Sequence, residues 1–413
     1  MLDRFIKDSG TLRRLRAGPV GTQLDSFTAR LVALGYARAT IREQMWLLSG
    51  LSRWMVRRRL SAAELDERTL DAFADHRQRR CRERSSHAAL DHFLEHLRAA
   101  GVAPSRLVVA DRSPMAVLAA QYQQHLRAER GLSPATLTNY LPVFRQFLTH
   151  TFGHKPVDLA GLTAGDLAVF VQQQARAMSR GRAKLMVTAL RSMCRFWLQH
   201  GDIHLDLAAA VPTVAHWRLA TIPKYLAPDE IERLLNACPR LTPVGRRDYA
   251  ILLLLARLGL RAGEVVGLEL DDLHWRAGEF TIRGKGRRED RLPLIAEVGR
   301  AVAAYLRHDR PACGTRRLFL RSRAPRRGLA GSGSVTTIVN RALERADLHP
   351  PVRGAHLLRH SLATRMLRQG GSLREIGQIL RHRTVSTTEI YAKVDLAGLR
   401  SLAAPWLTRG GVA

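Results

Sequence analysis

A pattern of apolar residues that runs from Ala39 to Met55 returns, loosely, from Ala135 to Thr151. The two segments read ATIREQMWLLSGLSRWM and ATLTNYLPVFRQFLTHT, so that Ile41 falls on Leu137, Met45 on Leu141, Leu48 on Phe144 and Leu51 on Phe147. Downstream, LDERTLDAF (65–73) matches LTAGDLAVF (162–170), and AALDHFLEHLRAAG (88–101) matches TALRSMCRFWLQHG (188–201). Within each copy apolar residues recur at i, i+3, i+4 and i+7, which gathers them on one side of a helix. A helix with a single apolar stripe must bury it against a neighbour. The repeat therefore constrains the first half of the chain to two helical bundles in tandem, read as four helices each.

The segment VVADRSPMA (108–116) separates the copies, which sets an N-terminal helical domain over 1–107 and a second over 112–207. A proline-bearing linker over 208–224 leads to a C-terminal domain over 225–413. APDEIERLLNAC begins a helix there, with Asp229 and Glu230 suited to its positive end. The longest apolar run, Tyr249 to Leu260, is interrupted by Arg257 and falls short of the roughly 20 residues a bilayer requires, so it reads as a buried helix closed by Gly259. EFTIRGKGRREDRLPL (279–294) reads as a β-hairpin with a Gly/Arg-rich tip. The expected fold is mostly α with a small antiparallel sheet in the C-terminal domain, an α+β arrangement.

Sixty-six basic against 36 acidic residues give a net charge of +30, which points to a polyanionic partner, most simply nucleic acid. Sixty of the cations are Arg and six are Lys. A GC-rich genome explains much of that bias, but not the excess over Asp and Glu. Basic clusters stand at 76–84 and 316–328. The start, MLDRFIKDSG, has no apolar signal region, so the expected location is cytoplasmic and nucleoid-associated, with no membrane association. Cys81, Cys194, Cys238 and Cys313 lie far apart with no C-x-x-C, and read as free, mostly buried thiols. With no phosphate-binding loop and no acidic two-metal cluster, neither a cofactor nor a metal is expected.

The chemistry concentrates in the last third. Arg261 follows LGL at the end of the buried helix, with Glu264 three residues on; Lys285 sits between two glycines at the hairpin tip. AHLLRHSLATRML places His356 and Arg359 on one helical face, and LRHRTVSTTEIYAKVD supplies His382 and Tyr391. Singly these are weak signals, since His76 and Arg79 repeat the H-x-x-R spacing elsewhere. In this order, however, ARLGLRAGEVVGLELDDL, IRGKGRREDRLPL, AHLLRHSLATRML and LRHRTVSTTEIYAKVD resemble the tyrosine recombinase (phage integrase) family over about 226–404. The second helical copy resembles the family's core-binding domain; the first has no counterpart in the minimal two-domain members.

The resemblance implies a site-specific recombinase that cleaves and rejoins duplex DNA through a 3′-phosphotyrosine, in integration, excision or transposition of a mobile element. It implies Tyr391 as nucleophile, Arg261 and Arg359 as grips on the scissile phosphate, and His382 as a hydrogen-bond donor to it. His356 is then the candidate acceptor of the tyrosine proton and Lys285 the candidate acid for the 5′ oxygen, while Glu264 supports the Arg or His network. Four subunits on paired sites, with or without companion recombinases, are expected to assemble from monomers on DNA. The apolar stripe Leu396, Leu399, Leu402 is expected to dock on a neighbouring protomer. Two other readings share the fold: a non-cleaving DNA-binding partner of another recombinase, and a type IB topoisomerase-like relaxase.

Overall fold

A computed structural model of the chain describes residues 1–81, 87–106, 111–153, 155–215, 222–284, 289–382 and 384–394. It falls into two compact units, one formed by Met1–Arg106 with Ile222–Ala413 and the other by Leu107–Thr221.

The N-terminal residues of the first unit fold into five helices, α1 (Ser9–Ala17), α2 (Gly21–Ala33), α3 (Arg38–Arg58), α4 (Glu67–Cys81) and α5 (His87–Ala99). Four were expected. The extra one, α1, buries only Thr11 and Leu15, too sparse a stripe to stand out in an Arg-rich stretch. It is started instead by Asp8, whose carboxylate accepts the Thr11 N–H at 2.6 Å. The repeat's apolar positions all face inward here: Ile41, Met45, Leu48 and Leu51 on α3, Leu65, Leu70 and Phe73 around α4, Leu90, Phe93 and Leu97 on α5.

The second unit carries α6 (Pro114–Gln124), which runs on into a π-helical turn at His125–Glu129, then α7 (Pro134–Phe152), α8 (Ala164–Arg176), α9 (Arg180–His200) and the short α10 (Leu207–Ala210). Its interior is aromatic: Tyr122 stacks on Phe144 at 4.6 Å, and Phe147 meets Phe170 edge-on at 5.2 Å. The copies agree in detail. Gly101 and Gly201 follow α5 and α9 with left-handed φ of 69° and 77°, where a side chain would be strained. Ahead of α4, Asp66 accepts hydrogen bonds from the Thr69 amide (2.8 Å) and hydroxyl (2.6 Å). Ahead of α8 the matched pair is exchanged: the Thr163 hydroxyl donates to Asp166 at 2.6 Å and accepts its amide.

The C-terminal part of the first unit is built around α12 (Pro243–Leu258), which follows α11 (Pro228–Asn236) and precedes α13 (Ala262–Gly267). Helix α12 is buried nearly all round, and Arg257, which interrupts its apolar run, turns to Glu232 and Glu297 at 2.8 and 2.9 Å. A three-stranded antiparallel sheet follows: β1 (Leu273–His274), β2 (Glu279–Arg283) and β3 (Glu289–Pro293), in that order. The expected hairpin is β2–β3, registered with Phe280 opposite Leu292, and Phe280 and Ile282 alternate into the core. The chain continues through α14 (Ala296–His308), α15 (Ser332–Arg345), α16 (Ala355–Arg368), α17 (Leu373–Ile379) and α18 (Val385–Thr388), ending in a 3₁₀ turn at Glu389–Val394. Between α14 and α15, the Arg326 amide donates to the Leu34 carbonyl at 2.8 Å, tying the basic loop to the N-terminal bundle. Among the described residues no helix is long and apolar enough to cross a membrane.

Candidate active site

The site forms where the end of α12, the start of α13, the middle of α16 and the segment from α17 to the final turn converge. Gly259 ends α12 in the left-handed region at φ 61°, and a Cβ there would stand 2.6 Å from Leu380. That close turn lets Arg359, 4% exposed on α16, donate one Nη to the Gly259 carbonyl and the other to the Leu380 carbonyl. A guanidinium carries five N–H groups, and these two bonds use two of them. Burial, then the charges of Arg261 and Arg381, bring the Arg359 pKa down to about 10, still cationic at neutral pH.

Arg261 caps α13. Its Nη1 meets Glu264 at 2.7 Å, its amide meets the same carboxylate at 2.8 Å, and its Nη2 reaches the Arg381 carbonyl at 3.1 Å. Glu264 is buried and also accepts Arg381 Nη2 at 2.9 Å. Burial raises its pKa, but the Arg261 amide and the two guanidiniums outweigh it and hold the carboxyl below its ordinary value. Glu264 thus pins two cations, Arg261 and Arg381, while Arg359 is held by carbonyls alone, so three Arg side chains stand against one carboxylate and the site is net positive.

Tyr391 lies in the final turn, 1% exposed, with its hydroxyl 2.9 Å from Nδ1 of His360. Burial pushes its pKa up to about 12, opposed by Arg359. His382 stacks flat on the Tyr391 ring, at 6.3 Å and 5°, and its Nδ1 meets the Thr388 hydroxyl at 2.7 Å. Burial, then Arg359 and Arg261, take the His382 pKa to about 4. His356 stands exposed one turn before His360, with its ring 6.4 Å from that of His360.

Of the six residues expected to act together, five converge here: Arg261, His356, Arg359, His382 and Tyr391. Lys285 lies outside the described residues, although Arg283 and Glu289 on either side of it form an ion pair at 3.3 Å. Two participants went unnoticed in the sequence. His360 directly follows Arg359, outside the H-x-x-R spacing, and Arg381 directly precedes His382; in each case the adjacent His–Arg pair was the only available signal. Cys194 and Cys238 are free and buried and Cys313 is free and half-buried, while the side chain of Cys81 is outside the described set. The only cluster of three potential metal ligands among the described residues is His125, Glu129 and His200, in the second unit.

Arginines and two histidines of depressed pKa thus gather around a buried tyrosine hydroxyl, on a helical domain with a small sheet. Comparisons with known proteins name the family. The phage integrase family model matches residues 224–397, and that of the phage integrase N-terminal SAM-like domain matches residues 119–201. The chain belongs to the phage integrase family of tyrosine recombinases. It is 44% identical over 404 residues to the integrase/recombinase y4rA of Sinorhizobium fredii, covering 97% of this chain and 98% of that one. It is 34% identical over 299 residues to tyrosine recombinase XerD of Mycobacterium tuberculosis, covering 68% of this chain and 94% of the other. Two solved structures share the fold. XerH recombinase in a pre-cleavage complex with its difH substrate has a TM-score of 0.53 and 18% identity, over 76% of this chain and 94% of that one. A lambda integrase dimer bound to a COC′ core site has a TM-score of 0.52 and 18% identity, over 72% and 98%.

Proposed function

We propose that this chain recombines duplex DNA at specific sites through a 3′-phosphotyrosine on Tyr391. The observation that carries the reading is the burial of Tyr391 within reach of the Arg359 charge, with the Arg261 guanidinium in turn acting on Arg359 and His382. Attack on a phosphodiester gathers negative charge on its non-bridging oxygens. Preorganised guanidiniums favour that state over the ground state, each worth roughly 10²–10³ in rate. As Tyr391 Oη bonds to phosphorus, the bond to the 5′ oxygen breaks and a 5′-hydroxyl is released. The phosphotyrosyl ester conserves the bond energy, so rejoining consumes no nucleotide. The same reading gives His382, whose Nδ1 meets Thr388, a hydrogen bond to the phosphate, and gives Lys285, outside the described residues, the protonation of the leaving oxygen.

The substrate is double-stranded DNA, and the active assembly is four protomers on two sites. XerH and lambda integrase, of the same fold, are DNA-bound in their solved structures. The net charge of +30 supports a large electrostatic share. With about 8 phosphates neutralised, log affinity falls against log salt with a slope near −7. The test is covalent trapping on nicked suicide duplexes carrying the DNA that flanks the chain's own gene, with EDTA present. A DNA-linked band that vanishes in Tyr391→Phe is the expected result. Tight, salt-sensitive binding with no band from the unaltered chain would overturn the cleaving reading in favour of a non-cleaving partner.

A further inference from the structure

We propose that His360, through Nδ1, is the group that holds the Tyr391 hydroxyl and takes its proton as the tyrosine attacks DNA. This deepens the recombinase reading and rests on it.

In the DNA-free geometry His360, not the other histidines, holds that hydroxyl. Among the described residues His360 is the sole hydrogen-bond partner of the Tyr391 hydroxyl, at 2.9 Å, with the two rings edge-on and 5.6 Å apart. His382 presents its ring face, parallel to that of Tyr391, and spends Nδ1 on Thr388. His356 is the residue that family resemblance suggests as acceptor, yet it lies exposed beyond His360 and has no hydrogen bond to the tyrosine. Adjacent positions on a helix diverge by about 100°, so α16 aims Arg359 at two backbone carbonyls and His360 at the nucleophile.

The charge state also fits. Burial, then His356 and Arg359, bring the His360 pKa to about 4, so the ring is neutral at working pH. With Tyr391 near 12, the hydroxyl is protonated and donates to Nδ1, which fixes the His360 proton on Nε2. A full transfer in the empty pocket is far uphill, so the proton moves only as the bond to phosphorus forms. In the forward step Tyr391 Oη bonds to phosphorus, its proton passes to His360, and the 5′ oxygen departs, taking a proton from an ammonium or solvent acid. In the reverse step the 5′-hydroxyl attacks and the His360 imidazolium returns its proton to Tyr391.

The test is single-turnover adduct formation by full-length His360→Ala and His360→Gln. Thermal melts and near-UV circular dichroism verify their folding. Both variants should slow adduct formation by about 10²–10⁴, because Gln can hydrogen-bond the phenol but cannot take its proton. The deficit should persist on DNA with sulfur at the bridging 5′ position, whose leaving group needs no acid. Replacing Tyr391 with a fluorotyrosine of lower pKa should restore His360→Ala at least about tenfold and alter the parent chain little. A folded His360→Ala as fast as the parent overturns the proposal, as does full restoration by Gln or by the sulfur substrate. If the parent itself forms no Tyr391-dependent adduct, the recombinase reading has failed and the role of His360 falls with it.

Discussion

In the bundle of residues 114–210 the interior is a stack of rings, with Tyr122, Phe144, Phe147, Phe170 and Trp197 all buried and touching in series. Around Tyr391 the interior is ionic: Arg359 and Glu264 are buried beside Arg261, Arg381 and two histidines of depressed pKa. Burying a full aromatic side chain stabilises by roughly 1.5–3 kcal/mol and asks nothing of its neighbours but shape. Burying a guanidinium is costly unless each donor is met, so the pocket is held by specific carbonyls and one shared carboxylate. The bundle therefore tolerates apolar exchange, as its own repeat shows: Phe73 stands where Phe170 does, but Phe93 stands where Met193 does and Leu97 where Trp197 does. The pocket depends instead on particular donors and acceptors.

The sharpest way to break that contrast is a substitution that removes one atom. Tyr391→Phe should abolish the covalent adduct while melting within a few degrees of the parent, since it deletes a hydroxyl and leaves a packed ring. Next in size, Arg359→Ala should lose at least about 10²–10³ in single-turnover cleavage and also melt early, because the Gly259 and Leu380 carbonyls lose their donors. Arg261→Ala, whose side chain is 38% exposed, should lose a similar rate with a smaller fall in melting temperature. A variant of Arg359 that keeps full cleavage would erase the distinction between the two regions.

Trp197→Ala in the aromatic interior should cost about 3–5 kcal/mol in denaturant unfolding of the second unit. A loss below 1 kcal/mol would mean the ring stack is not what holds that bundle. Acid should single out the pocket instead. Both are buried, and His360 also faces His356 and Arg359 while His382 faces Arg359, Arg261, His360 and Arg381, so both have folded pKa values of about 4, below the unfolded 6.5. The unfolded chain then binds more protons, and stability present above pH 6.5 should drain away as pH falls toward 4. His360→Gln should flatten that part of the curve, whereas Trp197→Ala should lower it without changing its slope. Smallest of all, Gly101→Ala and Gly201→Ala should each cost about 1 kcal/mol, since both glycines are left-handed and have open space around them. Unequal costs would show that the two copies are capped differently.

The same contrast decides what could be read before the structure. Periodicity registers apolar burial, so α3, α7 and α9 were legible from spacing, and the β2–β3 hairpin from the Gly/Arg-rich turn between its strands. Helix α1 was not, because only two of its residues face inward and its start depends on a cap. Motif order exposed Arg261, His356, Arg359, His382 and Tyr391, and Glu264 beside them. His360 and Arg381 stayed hidden because each sits next to a motif residue, and no spacing rule tells which of two adjacent side chains meets the tyrosine. That depends on how α16, the turn at Gly259 and the final 3₁₀ turn pack, a long-range fact that local sequence does not carry. Strand β1, two residues long, pairs with β2 and has no pattern of its own.

The most direct test of the central claim is to digest the trapped protein–DNA adduct and sequence the nucleotide-bearing peptide by mass spectrometry. The account predicts one modified peptide, spanning EIYAK, with the 3′-phosphoryl nucleotide on Tyr391. A nucleotide on any other residue, or an adduct that persists in Tyr391→Phe, would contradict it.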